Sequence, residues 1–326
     1  MAEKPQPTIA MTAEQLQGIL AEVLKKAQTP EWQSAMQPFE QAKKSDPLVT
    51  RPSTESKTLK TLVAIKTGTF LDDKFFDGKD KPIGGIPFGS STILTGLPNS
   101  GKSIFMEELA LRLASEGHKV CYTITEEIFS TDNARYDLET RLKEKAIIMK
   151  LDWAKVAGNL FVLDTVAHAE LRSWENFVPS YKALVEDSKV DILLVDSMTL
   201  LEDSRGQIKY RVLEFMRYNQ LHGVTSLLIN QRAIEESDSL AMAGGIGISH
   251  IVDIVFILDY KKVSSWDGSM KMDLGAENAK QGAIVNFMRI LKCRVCRFDA
   301  HYFGYAISKD GFVCQTTTPP QPVPVK

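Results

Sequence analysis

The sequence predicts an α/β fold in which a mostly parallel β-sheet is flanked by helices and ends in an antiparallel strand pair. Three observations predict it. Short β-rich runs alternate with helical stretches from residue 60 to residue 313. A glycine-rich loop separates one of these strands from the next helix, and the late segments 286–296 and 301–308 alternate like two paired strands. This order is typical of parallel sheets covered by helices.

Composition agrees with a globular chain and excludes several classes of protein. The 326 residues are 44% hydrophobic and 25% charged, and the net charge of −2 gives no electrostatic case for nucleic acid or an anionic membrane. No run approaches the roughly 18 apolar residues of a membrane span, and the first residues lack the apolar core of a secretion signal. We therefore expect a cytoplasmic protein without a membrane partner. The few cysteines fit a reducing compartment; they are Cys121, Cys293, Cys296 and Cys314.

The N-terminal region is predicted to be a helix followed by a linker, which together occupy residues 1–58. A capping-box pattern, Thr12 with Gln15, precedes an apolar stripe at helical spacing in residues 12–28. This stripe either packs on its own domain or docks on a neighbouring subunit. The core is predicted at residues 59–315, and the proline-rich tail 316–326 is predicted to be disordered.

Within the core, the hydrophobic periodicity predicts the elements in order. The predicted open-sheet strands are 91–95, 119–125, 160–163, 192–195, 225–230 and 254–260. The predicted helices are 103–116, 174–187 and 207–222. The polar segment 261–282 is predicted to be a loop or a hairpin arm.

The strongest motif lies between the first open-sheet strand and the first helix of the core. It fills the pattern G-x-x-x-x-G-K-[ST], which is the phosphate loop of nucleotide-binding proteins. In such a loop the backbone N–H groups and the helix N-terminus cradle phosphates, the lysine neutralises the β- and γ-oxygens, and the hydroxyl binds Mg²⁺. The residues of the motif are Gly96, Leu97, Pro98, Asn99, Ser100, Gly101, Lys102 and Ser103.

Carboxylates at the ends of two later strands complete a candidate nucleotide site. Asp196 ends a buried apolar run and is the candidate second anchor for the metal. Hydrolysis also requires a carboxylate that orients or deprotonates water. Glu126 and Glu127 follow the strand after the phosphate-loop helix, and the sequence leaves open which of them has this role.

This order of motifs resembles the RecA superfamily of ATPases, in its RadA and KaiC branch. The resemblance covers roughly residues 64–314, and the joint order of the motifs is more specific than any single one. Besides the phosphate loop, four segments carry the resemblance: Thr67-Gly68 through Gly84 to Ser91, then Leu227 to Gln231, then Ala243 to Leu258, and finally Arg289 to Arg294.

The resemblance implies a RecA-like core that binds ATP and Mg²⁺ between the subunits of a ring or filament. It implies that Glu126, or Glu127, activates the attacking water and that Gln231 senses the γ-phosphate. It also implies that Lys292 and Arg294 reach into the nucleotide site of an adjacent subunit, where cations stabilise the transferring phosphoryl group. Without the resemblance, this Lys-x-Arg pair is only an exposed basic strand segment.

The work done with ATP remains open between three hypotheses. The motifs favour action on single-stranded DNA in recombination, repair or replication. The alternative is a KaiC-like regulator that acts on protein partners. The loop 232–245 favours it, because this loop is net acidic and would repel DNA phosphates. The loop 202–211, in contrast, is slightly basic. A scaffold that binds ATP with little turnover is the third hypothesis, and Glu126 and Gln231 argue against it.

The spacing Cys293-x-x-Cys296, with His301 and Cys314 further on, invites a zinc interpretation. If one strand continued through both cysteines, their side chains would point to opposite faces of the sheet. We therefore expect no zinc site here.

Overall fold

The structure is a computed structural model that describes residues 61–133, 135–201, 208–231, 246–263 and 280–316. Outside the described residues lie the predicted N-terminal helix and linker, most of loop 202–211, all of loop 232–245, most of segment 261–282 and the tail from residue 317.

The described chain contains thirteen strands. They are β1 (Ala64–Ile65), β2 (Phe75–Phe76), β3 (Ile86–Pro87), β4 (Ser91–Gly96), β5 (Val120–Ile124), β6 (Leu160–Asp164), β7 (Ile192–Asp196), β8 (Thr225–Gln231), β9 (Ile254–Lys262), β10 (Ile284–Cys293), β11 (Arg297–Phe298), β12 (Phe303–Ile307) and β13 (Val313–Gln315).

Six α-helices accompany these strands in the described part of the chain. They are α1 (Lys102–Glu116), α2 (Leu138–Ile148), α3 (Trp153–Ala157), α4 (Trp174–Asp187), α5 (Ile208–His222) and α6 (Ile246–Ile251). None of them has both the length and the apolar character needed to cross a membrane.

Nine strands form one sheet in the order β13-β12-β10-β9-β4-β8-β7-β5-β6. The six strands from β9 to β6 in this order pair in parallel, and β10, β12 and β13 extend the sheet with antiparallel pairing. The parallel half places the carboxyl ends of β4, β5, β7 and β8 along one edge, which is where open α/β sheets bind ligands. The predicted fold class is confirmed.

The central strands are buried on both faces, because alternate residues enter two separate apolar clusters. Leu94 of β4 belongs to the same buried cluster as Phe105 of α1 and Leu138 of α2, whereas its neighbour Ile93 belongs to the cluster that contains Phe177 of α4. Helices α1 and α2 therefore cover one face of the sheet, and α4 and α5 cover the other. This two-sided burial explains why the strands are continuous apolar runs rather than alternating ones.

The predicted open-sheet strands agree with the structure within two residues at every end, and the helix predicted at 174–187 has those bounds. The structure corrects the segment predicted as one strand over 286–296. Strand β10 ends at Cys293 and residues 294–296 form a bend, because β11 then leaves the main sheet to pair with β2. Short elements such as α2 and β13 were not predicted.

Candidate functional site

The phosphate-loop residues connect the end of β4 to the start of α1 through a tight turn. Gly96 has a φ of 150°, and a Cβ atom there would lie 1.6 Å from the carbonyl oxygen of Leu258 on β9. Gly101, with a φ of 87°, begins the helix, and Asn99 also has a positive φ of 63°. Only glycine fits such a close approach between backbones, so the path of the loop depends on its glycines.

The ammonium group of Lys102 is held inside the phosphate loop. Its Nζ donates to the carbonyl oxygens of Gly96 at 3.0 Å and Leu97 at 2.7 Å, and to Ser100 Oγ at 3.2 Å. Burial lowers the pKa of Lys102, against the opposing effect of nearby carboxylates, Asp196 foremost. All three acceptors are neutral groups of the loop, so an anionic phosphate would bind this cation more strongly than they do.

Asp196 ends the buried strand β7 beside the start of α1. Its side chain is 9% exposed and hydrogen-bonds to the Ser103 side chain. The pKa of Asp196 is raised from 3.8 to about 6, chiefly by burial and with a contribution from the charge of Glu126, against the opposing effect of the hydrogen bond to Ser103. A buried carboxylate with an adjacent hydroxyl is poorly neutralised on its own and well suited to a cation.

Glu126 links the ends of three strands. Its Oε1 accepts hydrogen bonds from Ser197 Oγ at 3.2 Å and from Gln231 Nε2 at 3.1 Å. Ser197 directly follows β7, and Gln231 ends β8, where it is paired in register with Gly96 of the phosphate loop. Thr125 fixes the backbone just before Glu126, because the Thr125 N–H donates to the Asp196 carbonyl at 2.9 Å.

Glu127 is turned to different partners. Its Oε1 accepts from Arg141 Nη2 of α2 at 2.5 Å, and Arg141 also donates to Glu107 of α1 at 2.7 Å. Lys145 Nζ binds the same Glu107 carboxylate at 2.6 Å. The adjacent glutamates are therefore divided: Glu127 belongs to an ion network between α1 and α2, and Glu126 faces the ends of the strands.

Two buried residues, one on β12 and one on β9, also support the loop, and neither was predicted from the sequence. The Tyr305 hydroxyl of β12 donates to the Ser100 carbonyl at 2.5 Å. Asp259 of β9 is 2% exposed and acts electrostatically on Lys102. Tyr305 lies within the mostly apolar strand β12, and Asp259 follows the apolar run of β9, so neither carries a motif that marks it in the sequence.

Lys292 and Arg294 lie away from the phosphate loop of their own chain. Lys292 Nζ donates to the carbonyl oxygens of Ser249 at 2.6 Å and Val252 at 2.7 Å, at the C-terminal end of α6, and Arg294 binds the His250 carbonyl. The pairing of β10 with β9, and of β9 with β4, places Lys292 at the same height in the sheet as Ile93, near the start of β4. The loop begins three residues later, about 10 Å along the strand.

The residues present fit ATP and Mg²⁺. The loop glycines leave room for backbone N–H groups to approach phosphate, and Lys102 supplies a partly desolvated cation. The Ser103 hydroxyl and the Asp196 carboxylate are the oxygen ligands that Mg²⁺ prefers, and they already lie together. The strand ends thus bring together Lys102, Ser103, Asp196, Glu126 and Gln231, and they exclude Glu127, Lys292 and Arg294.

Comparison with known proteins agrees with the fold. The family model described as "ATPase: KaiC" matches residues 65–318. A DNA repair protein RadA from Campylobacter jejuni is 27% identical over 54% of this chain but only 35% of its own length, and a UPF0273 protein from Pyrococcus furiosus is 25% identical over 59% of this chain and 77% of its own.

A KaiC-like protein from Pyrococcus horikoshii has a similar crystal structure. Its TM-score is 0.56 at 18% sequence identity, and the match covers 79% of this chain and 100% of that one. At this identity the likeness establishes the fold alone. The family model matches well over half of the chain, and the chain therefore belongs to the KaiC ATPase family, in the RadA and KaiC branch of the RecA superfamily.

Proposed function

We propose that this protein hydrolyses ATP with Mg²⁺ at sites between its subunits, and that the assembled form acts on DNA in recombination, repair or replication. One observation carries the hydrolytic part. Glu126, held by Ser197 and Gln231, lies at the same sheet edge as Lys102 and as the Ser103–Asp196 pair. A protein that only bound the nucleotide would not need a carboxylate positioned in this way.

In the proposed reaction, Glu126 orients a water molecule and accepts its proton as the water attacks the γ-phosphorus. The bond from the γ-phosphorus to the bridging oxygen breaks, and ADP and phosphate leave. Gln231 donates to Glu126 at 3.1 Å, so a change at the γ-phosphate would reach the base through this contact. Bound Mg²⁺, held by Ser103 and Asp196, would neutralise phosphate charge, and Lys102 would bind the β- and γ-oxygens.

The position of Lys292 and Arg294 supports action across a subunit interface. The strand register places Lys292 about 10 Å before the phosphate loop of its own chain, and the Arg294 side chain binds a carbonyl at the end of α6, so we infer that both would meet the nucleotide of a neighbour. In the single chain their cations bind the carbonyl oxygens at the end of α6, which is a favourable place for positive charge. Assembly would exchange these contacts for a neighbour's phosphates.

Steady-state ATP turnover of two neighbouring variants tests the proposed base. Glu126→Gln should lower turnover by roughly 10²–10⁴-fold and retain ATP binding, because it removes only the proton acceptor. Glu127→Gln is the matched control and should stay within a few-fold of the wild type, because Glu127 pairs with Arg141. The reverse ranking of the two variants would refute the assignment.

A second pair of measurements tests the interface. Arg294→Ala should lower turnover, while ATP binding to the monomer changes little. Loss of binding by the monomer would instead place Arg294 in the nucleotide site of its own chain. Lys309→Ala, which removes an exposed cation from a turn, is the control.

The target is tested by adding single-stranded DNA at low salt. The relative named as a DNA repair protein supports DNA as the target, and stimulation of turnover would support it further. The net acidic loop 232–245 favours the alternative, a regulator that acts on protein partners. Turnover that DNA does not change, with no retention on DNA, would replace the first target by the second.

A further inference from the structure

Two thiols meet in the bend after strand β10. The sulfur atoms of Cys293 and Cys296 are 3.6 Å apart, and both residues are partly exposed. The expectation that they would point to opposite faces is therefore wrong, because the strand ends at Cys293 and the chain turns. Within the described residues, no group of three or more Cys, His, Asp or Glu side chains is placed to hold a metal ion.

Both ends of the bend are anchored, which holds the thiols together. At the first end, Arg294 N donates to the Asp253 carbonyl at 3.0 Å. At the other end, Arg297 and Phe298 of β11 pair with β2. The residues between the cysteines are exposed, so the bend can adjust without disturbing the core.

The surroundings of the pair favour a thiolate on one sulfur. The pKa of Cys293 is lowered to about 7, mainly by its hydrogen bond with the Cys296 thiol. The backbone N–H groups of Cys296 and Val295 make smaller contributions in the same direction. Burial raises the pKa of Cys121 to about 12, so that thiol is inert by comparison. A reactive cysteine is a partly exposed one with a lowered pKa, and Cys293 meets both conditions.

We propose that Cys293 and Cys296 are a redox-active dithiol, which hydrogen peroxide converts into an intramolecular disulfide. The Cys293 thiolate attacks one peroxide oxygen and the O–O bond breaks, which leaves a sulfenic acid and hydroxide. The Cys296 sulfur then attacks the Cys293 sulfur and displaces the hydroxyl group as water, with the thiol proton. The hydroxide takes up the proton that the Cys293 thiol lost when it ionised, so the two sulfurs lose two electrons in total and the peroxide gains them as it becomes two waters.

The disulfide would change the bend that carries Arg294. A disulfide needs the sulfurs at about 2.05 Å, so they must approach by roughly 1.5 Å. Arg294 is one of the two residues between them, and its guanidinium is at the end of α6. The inference that oxidation lowers ATP turnover rests on the proposed function, because it requires Arg294 to act on a neighbour's nucleotide.

The thiol chemistry is tested first on the full-length, nucleotide-free protein with hydrogen peroxide. We expect the titratable thiols of the denatured chain to fall from four to two, and the peptide with both cysteines to lose two hydrogens. Dithiothreitol should reverse both changes. Cys314→Ser, at an exposed cysteine outside the pair, should still form this disulfide, whereas Cys296→Ser should not. A wild-type chain that keeps both thiols, or gives only over-oxidised or intermolecular products, would overturn the dithiol.

ATP turnover is then compared before and after oxidation. Turnover of the wild type should fall several-fold and return with dithiothreitol, and that of Cys296→Ser should not change with peroxide. A disulfide that leaves turnover unchanged would overturn the link to Arg294. If the reduced protein shows no turnover, the proposed function fails, and the thiol count still decides whether the dithiol exists.

Discussion

Replacing Asp196 with asparagine is expected to stabilise the nucleotide-free chain and to abolish magnesium-dependent hydrolysis. The carboxylate is 9% exposed, and its ionised form is held in a buried position near the charge of Glu126. Asparagine has almost the same shape and can still accept a hydrogen bond from Ser103. It removes only the charge that the folded state holds unfavourably.

The magnitude follows from the pKa of Asp196. The pKa rises from 3.8 to about 6 on folding, and about 2 pKa units correspond to roughly 3 kcal/mol at neutral pH. The folded chain binds the proton of the Asp196 carboxyl more tightly than the unfolded chain does. The protonated carboxyl therefore makes its full contribution to the unfolding free energy below pH 3.8. It is lost as the pH rises through about 6.

Urea unfolding of the two proteins measures the difference. At pH 7.5 the variant should be more stable by up to about 3 kcal/mol, and at pH 5.0 by about half of that, since the wild-type carboxyl is then largely protonated. Saturating Mg·ATP, at roughly 100 times its Kd, should add about 2.7 kcal/mol to the wild type and less to the variant.

The control is Asp310→Asn, which changes an exposed carboxylate in a turn and should alter the stability by less than about 0.5 kcal/mol. The reasoning is refuted if Asp196→Asn is no more stable than the wild type at pH 7.5. It is equally refuted if the difference between the two proteins does not shrink at pH 5.0.

Two further substitutions test the packing around the site. Gly96→Ala should destabilise the fold by about 3 kcal/mol or more in urea unfolding, because its Cβ would overlap the Leu258 carbonyl, whereas Gly78→Ala meets nothing within 4 Å and should have little effect. Glu107→Gln should cost about 3–5 kcal/mol, since it leaves the buried Lys145 without its carboxylate partner, whereas Glu139→Gln breaks a partly exposed pair and should cost less than about 1 kcal/mol. Equal effects of either variant and its control would contradict the burial argument.

The parallel half of the sheet could be predicted because its strands are buried on both faces. Strand β7 is apolar from Ile192 to Val195 and β8 has an apolar centre from Leu227 to Ile229, and such runs stand out in any sequence. Helix α2 was missed for the opposite reason. Its Arg141 and Lys145 look like solvent-facing charges, but they bind Glu107 of α1 from a largely buried position. Periodicity does not reveal an ion pair whose partner lies more than thirty residues away.

The sequence indicated which residues meet at the strand ends, because a motif and two strand-terminal carboxylates define that edge. It did not distinguish Glu126 from Glu127, since neighbouring carboxylates differ only in their partners. Arg141, from another helix, takes one of them, and Gln231 takes the other. The orientation of the two cysteines was predicted wrongly because the predicted strand was three residues too long. The bend after the strand turns the Cys296 thiol to the same side as the Cys293 thiol.

The hydrogen bond from Tyr305 to Ser100 has a practical consequence for anyone who shortens this protein. The candidate site residues lie on the parallel strands, which suggests that the later hairpin of β12 and β13 could be removed without loss. That hairpin, however, supports the backbone of the phosphate loop through Tyr305, and β13 contacts the helix after the loop, because the Val313 N–H donates to Glu108 at 3.3 Å. A shortened chain that keeps both contacts and the whole of β13 must therefore extend at least through residue 315.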